Sequence, residues 1–224
     1  MDGAALVNML KPSGECTRFS DYMKQTYLPC IKGQLRSVQR LDVVWDTYID
    51  QSLKASARCK RGKGVCCRVE SEVNLPGNLG EFLKMEANKK ELFKYLAQET
   101  ISIDVYKTVI STIDQNILST SRIDLFNISD STHEEADTRL LLHVLNCANQ
   151  GLQKLMIRTV DTDVFTLAVS FFRALNVQEL WISFGTGKYF RYIAIHDIVH
   201  ALGSQKSEVL HVFLGCHTTK KYLL

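Results

Sequence analysis

Four carboxylates stand in two close pairs about one helix apart: Glu135 with Asp137, and Asp161 with Asp163. Oxygen donors at this spacing suit Mg²⁺ or Mn²⁺, and crowded carboxylates become tolerable when a divalent cation neutralises them. Two such ions, about 4 Å apart, would activate a water and stabilise the leaving oxygen in phosphodiester hydrolysis. The mundane alternative is helix capping and solvated turn acids, the commoner outcome for either short pair taken alone. Asp46 closes the apolar run LDVVW at 41–45. It adds a further acid at a strand end and strengthens the set.

The elements that must carry these acids can be read from periodicity. Ala136, Leu140, Leu141, Val144, Leu145 and Ala148 form a helical apolar stripe. Thr132 and Glu135 form a capping-box pattern before it, and Gly151 is a natural stop. A β-type run at 154–160 leads into Asp161 and Asp163. The first pair therefore opens a helix and the second ends the next strand. In an open α/β sheet, sites form at the carboxyl ends of strands. Asp137 falls within the helix stripe, so it is predicted to point toward the sheet.

The rest of the chain frames that unit. Residues 4–10 are helix-compatible, 19–38 have helical spacing interrupted by Pro29, and 41–45 read as a buried strand. A helix is predicted over 47–57, a turn over 75–80, and an amphipathic helix over 81–99 with Phe82, Leu83, Leu92, Phe93 and Leu96 inward. Residues 108–120 read as a hairpin turning at Asp114, Gln115 and Asn116. Val164, Leu167, Ala168, Phe171 and Leu175 make a second helical stripe. A strand at 179–184 turns through Gly185-Thr186-Gly187 into an antiparallel partner at 189–195, followed by a short helix at 198–202. Strand–helix alternation predicts an α/β fold with a largely parallel sheet.

A chain of 224 residues with 46% apolar content supports one large domain or two small ones, with a sizeable core. A net charge of +3 does not by itself imply a nucleic-acid binder, but the distribution is uneven. Lys54, Arg58, Lys60, Arg61, Lys63 and Arg68 lie in a stretch without an acid. They suit phosphate binding, against the usual outcome of a solvated charged loop. The absence of a signal peptide and of a membrane-length apolar run predicts an intracellular protein, nuclear or cytoplasmic, not secreted and not in a membrane. Seven cysteines without that signal predict reduced thiols.

Other motifs carry less. Gly185-Thr186-Gly187-Lys188 is not a phosphate loop, because Ile182 and Tyr189 stand where that motif needs Gly and Ser or Thr. His196 with His200, His143 with Cys147, and Cys216 with His217 have metal-compatible spacings but no obvious further ligand.

In order, Asp2-Gly3-Ala4-Ala5, LDVVWD (41–46), KRGKGV (60–65), HEEADTRLLLH (133–143), RTVDTDV (158–164), FGTGKYFRYIAIH (184–196) and LGCHTT (214–219) resemble an animal protein family with a PIN-like domain, related to the flap-endonuclease superfamily. The resemblance implies a single PIN-like domain over 1–224: a Rossmann-like α/β/α sandwich with a mostly parallel central sheet and a β-hairpin insertion. It implies a nuclease with two Mg²⁺ or Mn²⁺ ions, acting on DNA or RNA. It assigns Asp2, Asp46, Glu135, Asp137, Asp161 and Asp163 as ligands or their supports, and places the basic segment near the phosphates. His217 stands where the family pattern has an Asp; imidazole is a poorer partner for Mg²⁺, so only one ion is expected to be held well. The pattern also makes both ends look cut, with the strand before Asp2 absent. Two rival readings are a binding module that keeps the fold without turnover, and a non-functional fragment of a multicopy gene.

Overall fold

In the computed structural model, which describes residues 1–47, 66–129 and 136–203, the strands gather into two sheets of three. The expectation of one largely parallel sheet is corrected among the described residues. Each sheet joins one parallel pair to one antiparallel pair. The reason lies in the connections: short turns link the second and third strands of each sheet, and only antiparallel neighbours can be joined that way. The α/β class stands. The chain divides into two compact units, Gly3–Asp124, and Met1–Asp2 with Leu125–Leu224.

In the first unit, α1 (Gly3–Met9) is followed by one helical stretch in three parts: α2 (Phe19–Tyr22), a π-helical turn (Met23–Tyr27) and α3 (Leu28–Leu35). Pro29 explains the middle part. It has no N–H for an ordinary helical bond, and its ring crowds the carbonyl four residues back. The wider turn, in which the Leu28 N–H reaches the Met23 carbonyl, absorbs that conflict without ending the helix. β1 (Arg40–Val43) then pairs in parallel with β2 (Thr108–Ile113). β2 turns into β3 (Asn116–Ser119) through Asp114, whose φ of 50° supplies the left-handed step a tight hairpin needs.

The helix expected over 81–99 is in fact two: α4 (Leu79–Phe82), capped by the Asn78 side chain, and α5 (Glu86–Ile101). Buried Asn88 helps to fix the break. Its amide donates to the Phe82 carbonyl at 3.2 Å, and its side-chain oxygen accepts the Cys67 N–H at 2.9 Å. The five inward residues are nevertheless all buried, and α5 packs on β2 and β3.

Trp45 anchors this core. Its backbone N–H donates to Thr112 Oγ1 at 2.8 Å and its indole N–H to Ser111 Oγ at 3.1 Å. Its ring lies 4.8 Å from Phe93 and 6.3 Å from Tyr27, centroid to centroid. Thr100 donates to the Leu96 carbonyl, so the Tyr27 hydroxyl donates to Thr100, at 2.7 Å. Burial pushes the Tyr27 pKa upward and keeps that hydroxyl protonated. Gly3 touches the indole so closely that a Cβ there would stand 2.4 Å from it.

In the second unit, α6 (Phe126–Ser129) and α7 (Ala136–Asn149) precede β4 (Lys154–Thr159), α8 (Thr162–Leu175), β5 (Glu179–Phe184), a 3₁₀ turn (Gly187–Tyr189) and β6 (Arg191–Ala194), with residues 195–203 helical. The two predicted stripes are largely or wholly buried: only Leu145 and Ala148 of α7 stay half-exposed. α7 packs against α8 and β4. Gly151, with φ 84°, follows α7 as predicted. β4 and β5 run parallel from Lys154↔Glu179 to Thr159↔Phe184. The first of these pairs is an exposed ion pair of 2.7 Å, which holds the Glu179 carboxyl below its usual range. Among the described residues no helix is long and apolar enough to cross a membrane.

Gly3→Ala should lower the unfolding free energy by about 1–3 kcal/mol, the usual cost of overpacking a filled core. Urea melts followed by Trp fluorescence measure this. A melt unchanged from wild type would mean that the indole can step aside.

Candidate metal centre

The centre is built where two helices begin and a strand ends. Thr159 closes β4, and its hydroxyl oxygen accepts the backbone N–H of Asp161 at 3.0 Å. That contact turns the chain out of the strand. Asp161 is then the N-cap of α8: its Oδ1 accepts the Asp163 N–H at 2.8 Å. The cap occupies one carboxylate oxygen and fixes the direction of the other. Asp163 sits in the first turn of the same helix, where a negative charge is favoured by the helix dipole. Asp137 comes from the first turn of α7 and is half-buried, in keeping with its place in the apolar stripe.

These three side chains converge. Asp137, Asp161 and Asp163 each place an oxygen so that all three lie within 4.8 Å of one another. Like charges at that spacing repel by on the order of 1 kcal/mol per pair at the dielectric constant of water. Capping accounts for Asp161 and the dipole for Asp163. Neither brings a carboxylate from a second helix to the same point. A hard cation does. Opposite ligand oxygens stand roughly 4 Å apart around Mg²⁺ and roughly 5 Å apart around Ca²⁺, so this spread matches a single oxygen-ligated ion. An all-carboxylate donor set fits Mg²⁺ or Mn²⁺ and disfavours softer metals.

The other predicted site residues fall in three places. Asp2 is 8% exposed and its backbone N–H donates to the Arg158 carbonyl at 3.0 Å, beside the end of β4. It is not a member of the three-carboxylate group. Asp46 belongs to the other unit. There, with Lys90, Lys94 and Asp114, it lines a small recess beside Trp45 and Phe93. Glu135, His217, Lys54, Arg58, Lys60, Arg61 and Lys63 lie outside the described residues, as do the Thr132 capping box, all but Thr47 of the helix expected over 47–57, and the tail from 208. Arg68 is described. It is exposed and paired with Glu70 at 2.8 Å.

His196 and His200 both stand near the Phe172 ring. His196 Nδ1 lies 3.1 Å from the Leu180 carbonyl, so it carries the proton and donates, and its ring stands edge-on to Trp181. His143 and Cys147 are buried along α7. Sequence reasoning gave no individual role to Thr159, the hydroxyl that sets the turn. The only signal for it was a Thr two residues before a helix-capping Asp.

Asp161→Asn keeps a capping oxygen, whereas Asp161→Ala removes it. The Ala variant should melt about 1 kcal/mol below the Asn variant, the typical worth of an N-cap. Mn²⁺ should raise the wild-type melting temperature, by an amount that grows with concentration, and should leave both variants unmoved. A wild type indifferent to millimolar Mn²⁺ would remove the cation from this account.

Comparison with known protein families, with curated proteins and with solved structures finds no match for this chain.

Proposed function

We propose that this chain is a divalent-metal-dependent nuclease domain, hydrolysing phosphodiester bonds of nucleic acid. We read its core as a PIN-like, Rossmann-type α/β/α arrangement related to the flap endonucleases. The observation that carries the reading is the convergence of Asp137, Asp161 and Asp163 from two helix starts. The acid-free basic stretch of 54–68 supports a polyanionic substrate.

A bound Mg²⁺ or Mn²⁺ would supply Lewis acidity at a phosphoryl oxygen and make its water a better nucleophile. The protein's part is to hold carboxylates ready. The Asp161 carboxylate is held by its cap and so has less freedom left to lose when it takes up a ligand, and Asp163 is carried beside it on the first turn of α8. Asp137 closes the set from α7. The described group is sized for one ion. A second would draw on residues such as Glu135 and His217, and the neutral imidazole of His217 is a weak partner for Mg²⁺.

The test is a nuclease assay on single-stranded, flapped and duplex substrates, with folding confirmed first. Mn²⁺ should support more cleavage than Mg²⁺. Asp163→Asn should lower cleavage by roughly 100-fold or more, since it removes a direct ligand where even outer-shell losses cost 10–100-fold. His217→Asp should raise the Mg²⁺-dependent rate. Cleavage that persists in EDTA, or that survives Asp163→Asn, defeats the proposal. Metal-independent binding without cleavage would favour the reading as a binding module.

A further inference from the structure

Sequence reasoning treated residues 184–192 as a turn and a strand. The structure adds that they expose a set of aromatic and cationic side chains which the acidic cluster does not use. Gly185 has φ 81°, and a Cβ on it would stand 2.7 Å from the Tyr189 carbonyl oxygen. The chain therefore folds back tightly after β5, and the 3₁₀ turn is held at the end of the sheet. Tyr189 is 72% exposed and Tyr192 60%. Single exposed rings are ordinary, but here they come with cations. Lys188 Nζ lies 5.1 Å from the Tyr189 ring centroid. Arg191 lies 5.6 Å from that of Phe184 and Arg158 5.0 Å from that of Phe190. Phe190 and Tyr192 meet edge to face at 5.0 Å. Residues 184–192 contain no acid.

Exposed rings beside positive charges match a partner with flat π faces and phosphates. Single-stranded nucleic acid offers both: its bases are free to stack on Tyr, and its backbone carries the negative charge. A duplex keeps its base faces stacked on one another, and an acidic peptide offers only the charge. We propose that this surface is a single-strand nucleic-acid platform, with Tyr189 and Tyr192 stacking on bases and Lys188 facing a phosphate. Its position is fixed by register. Thr159 and Phe184 are partners at the ends of β4 and β5, so the Asp161 loop and the Gly185 turn leave the same sheet edge. A strand lying on the platform runs beside Asp161 and Asp163. The binding claim stands without catalysis; only the fate of the bound strand rests on the proposed function.

The test is fluorescence anisotropy on the full chain in EDTA, with labelled dT12, rU12 and a 12-base-pair duplex. Wild type should bind the single strands more tightly than the duplex. Tyr189→Ala with Tyr192→Ala should weaken single-strand binding at least about fivefold, the low end for loss of one base stack, and leave duplex binding unchanged. Lys188→Gln should flatten the slope of log K against log salt by about 0.7. Photocrosslinking of a 4-thiouridine oligomer to the unsubstituted protein should map to 187–194, a readout that needs no variant to fold. Unchanged affinity in a ring variant that melts like wild type overturns the platform. So do adducts confined to other segments, or polyglutamate competing better than dT12. Because binding is read without metal, retained binding with no metal-dependent cleavage defeats the nuclease reading alone. Cleavage with unaltered binding by the ring variant defeats the platform alone.

Discussion

The parallel register of β4 and β5 is the constraint on which the placing of the Asp161 and Gly185 loops depends. Two strands that run side by side and end together, at Thr159 and Phe184, must release their following loops at one edge. One loop turns on a hydroxyl and caps α8. The other turns on Gly185 into a 3₁₀ segment. A shift of the register by one residue would reverse the faces of every side chain in β5 and carry the second loop away from the first. The buried faces of Ile157, Leu180 and Ile182 resist such a shift, because it would bring them into water. The hydrophobic core thus sets the geometry of groups it never touches.

Within that frame, the acids of the cluster also shape the fold. The Asp161 carboxylate stabilises a helix start through one oxygen and offers the other to a ligand. This economy has an electrostatic cost, since Asp137 and Asp163 are held near it and repel it. The cost is modest because the group is only part-buried and water screens it. A cation taken up there would relieve that repulsion, and the relief would add to its affinity.

Much of this was legible from residue pattern, for identifiable reasons. α8 and β5 follow their apolar spacing, and the hairpin follows its Asp114 turn, because local propensity and burial agree there. Asp137, Asp161 and Asp163 could be placed at helix starts because an apolar stripe follows each pair, although capping and the helix dipole also put acids there without any ligand. The failures share a cause. The split between α4 and α5 depends on the buried Asn88 amide, whose partners Phe82 and Cys67 are fixed only by tertiary folding. The two mixed sheets depend on which strands become neighbours, and periodicity carries no such information. The exposure of Tyr189 and Tyr192 was hidden for a related reason: aromatic residues in a strand pattern read as core until the strand is known to lie at a sheet edge.

Trp45 has a further consequence, for the order of events as the chain is made. Its contacts reach back to Gly3 and forward to Phe93, Ser111 and Thr112. Ser111 and Thr112 follow Trp45 by 66 and 67 residues, several seconds of synthesis at ordinary elongation rates. Until β2 emerges, a large indole and its neighbouring strand wait without their seat. The core of this unit is therefore non-local by construction, which favours slow closure and a nascent chain that profits from being shielded while it lengthens.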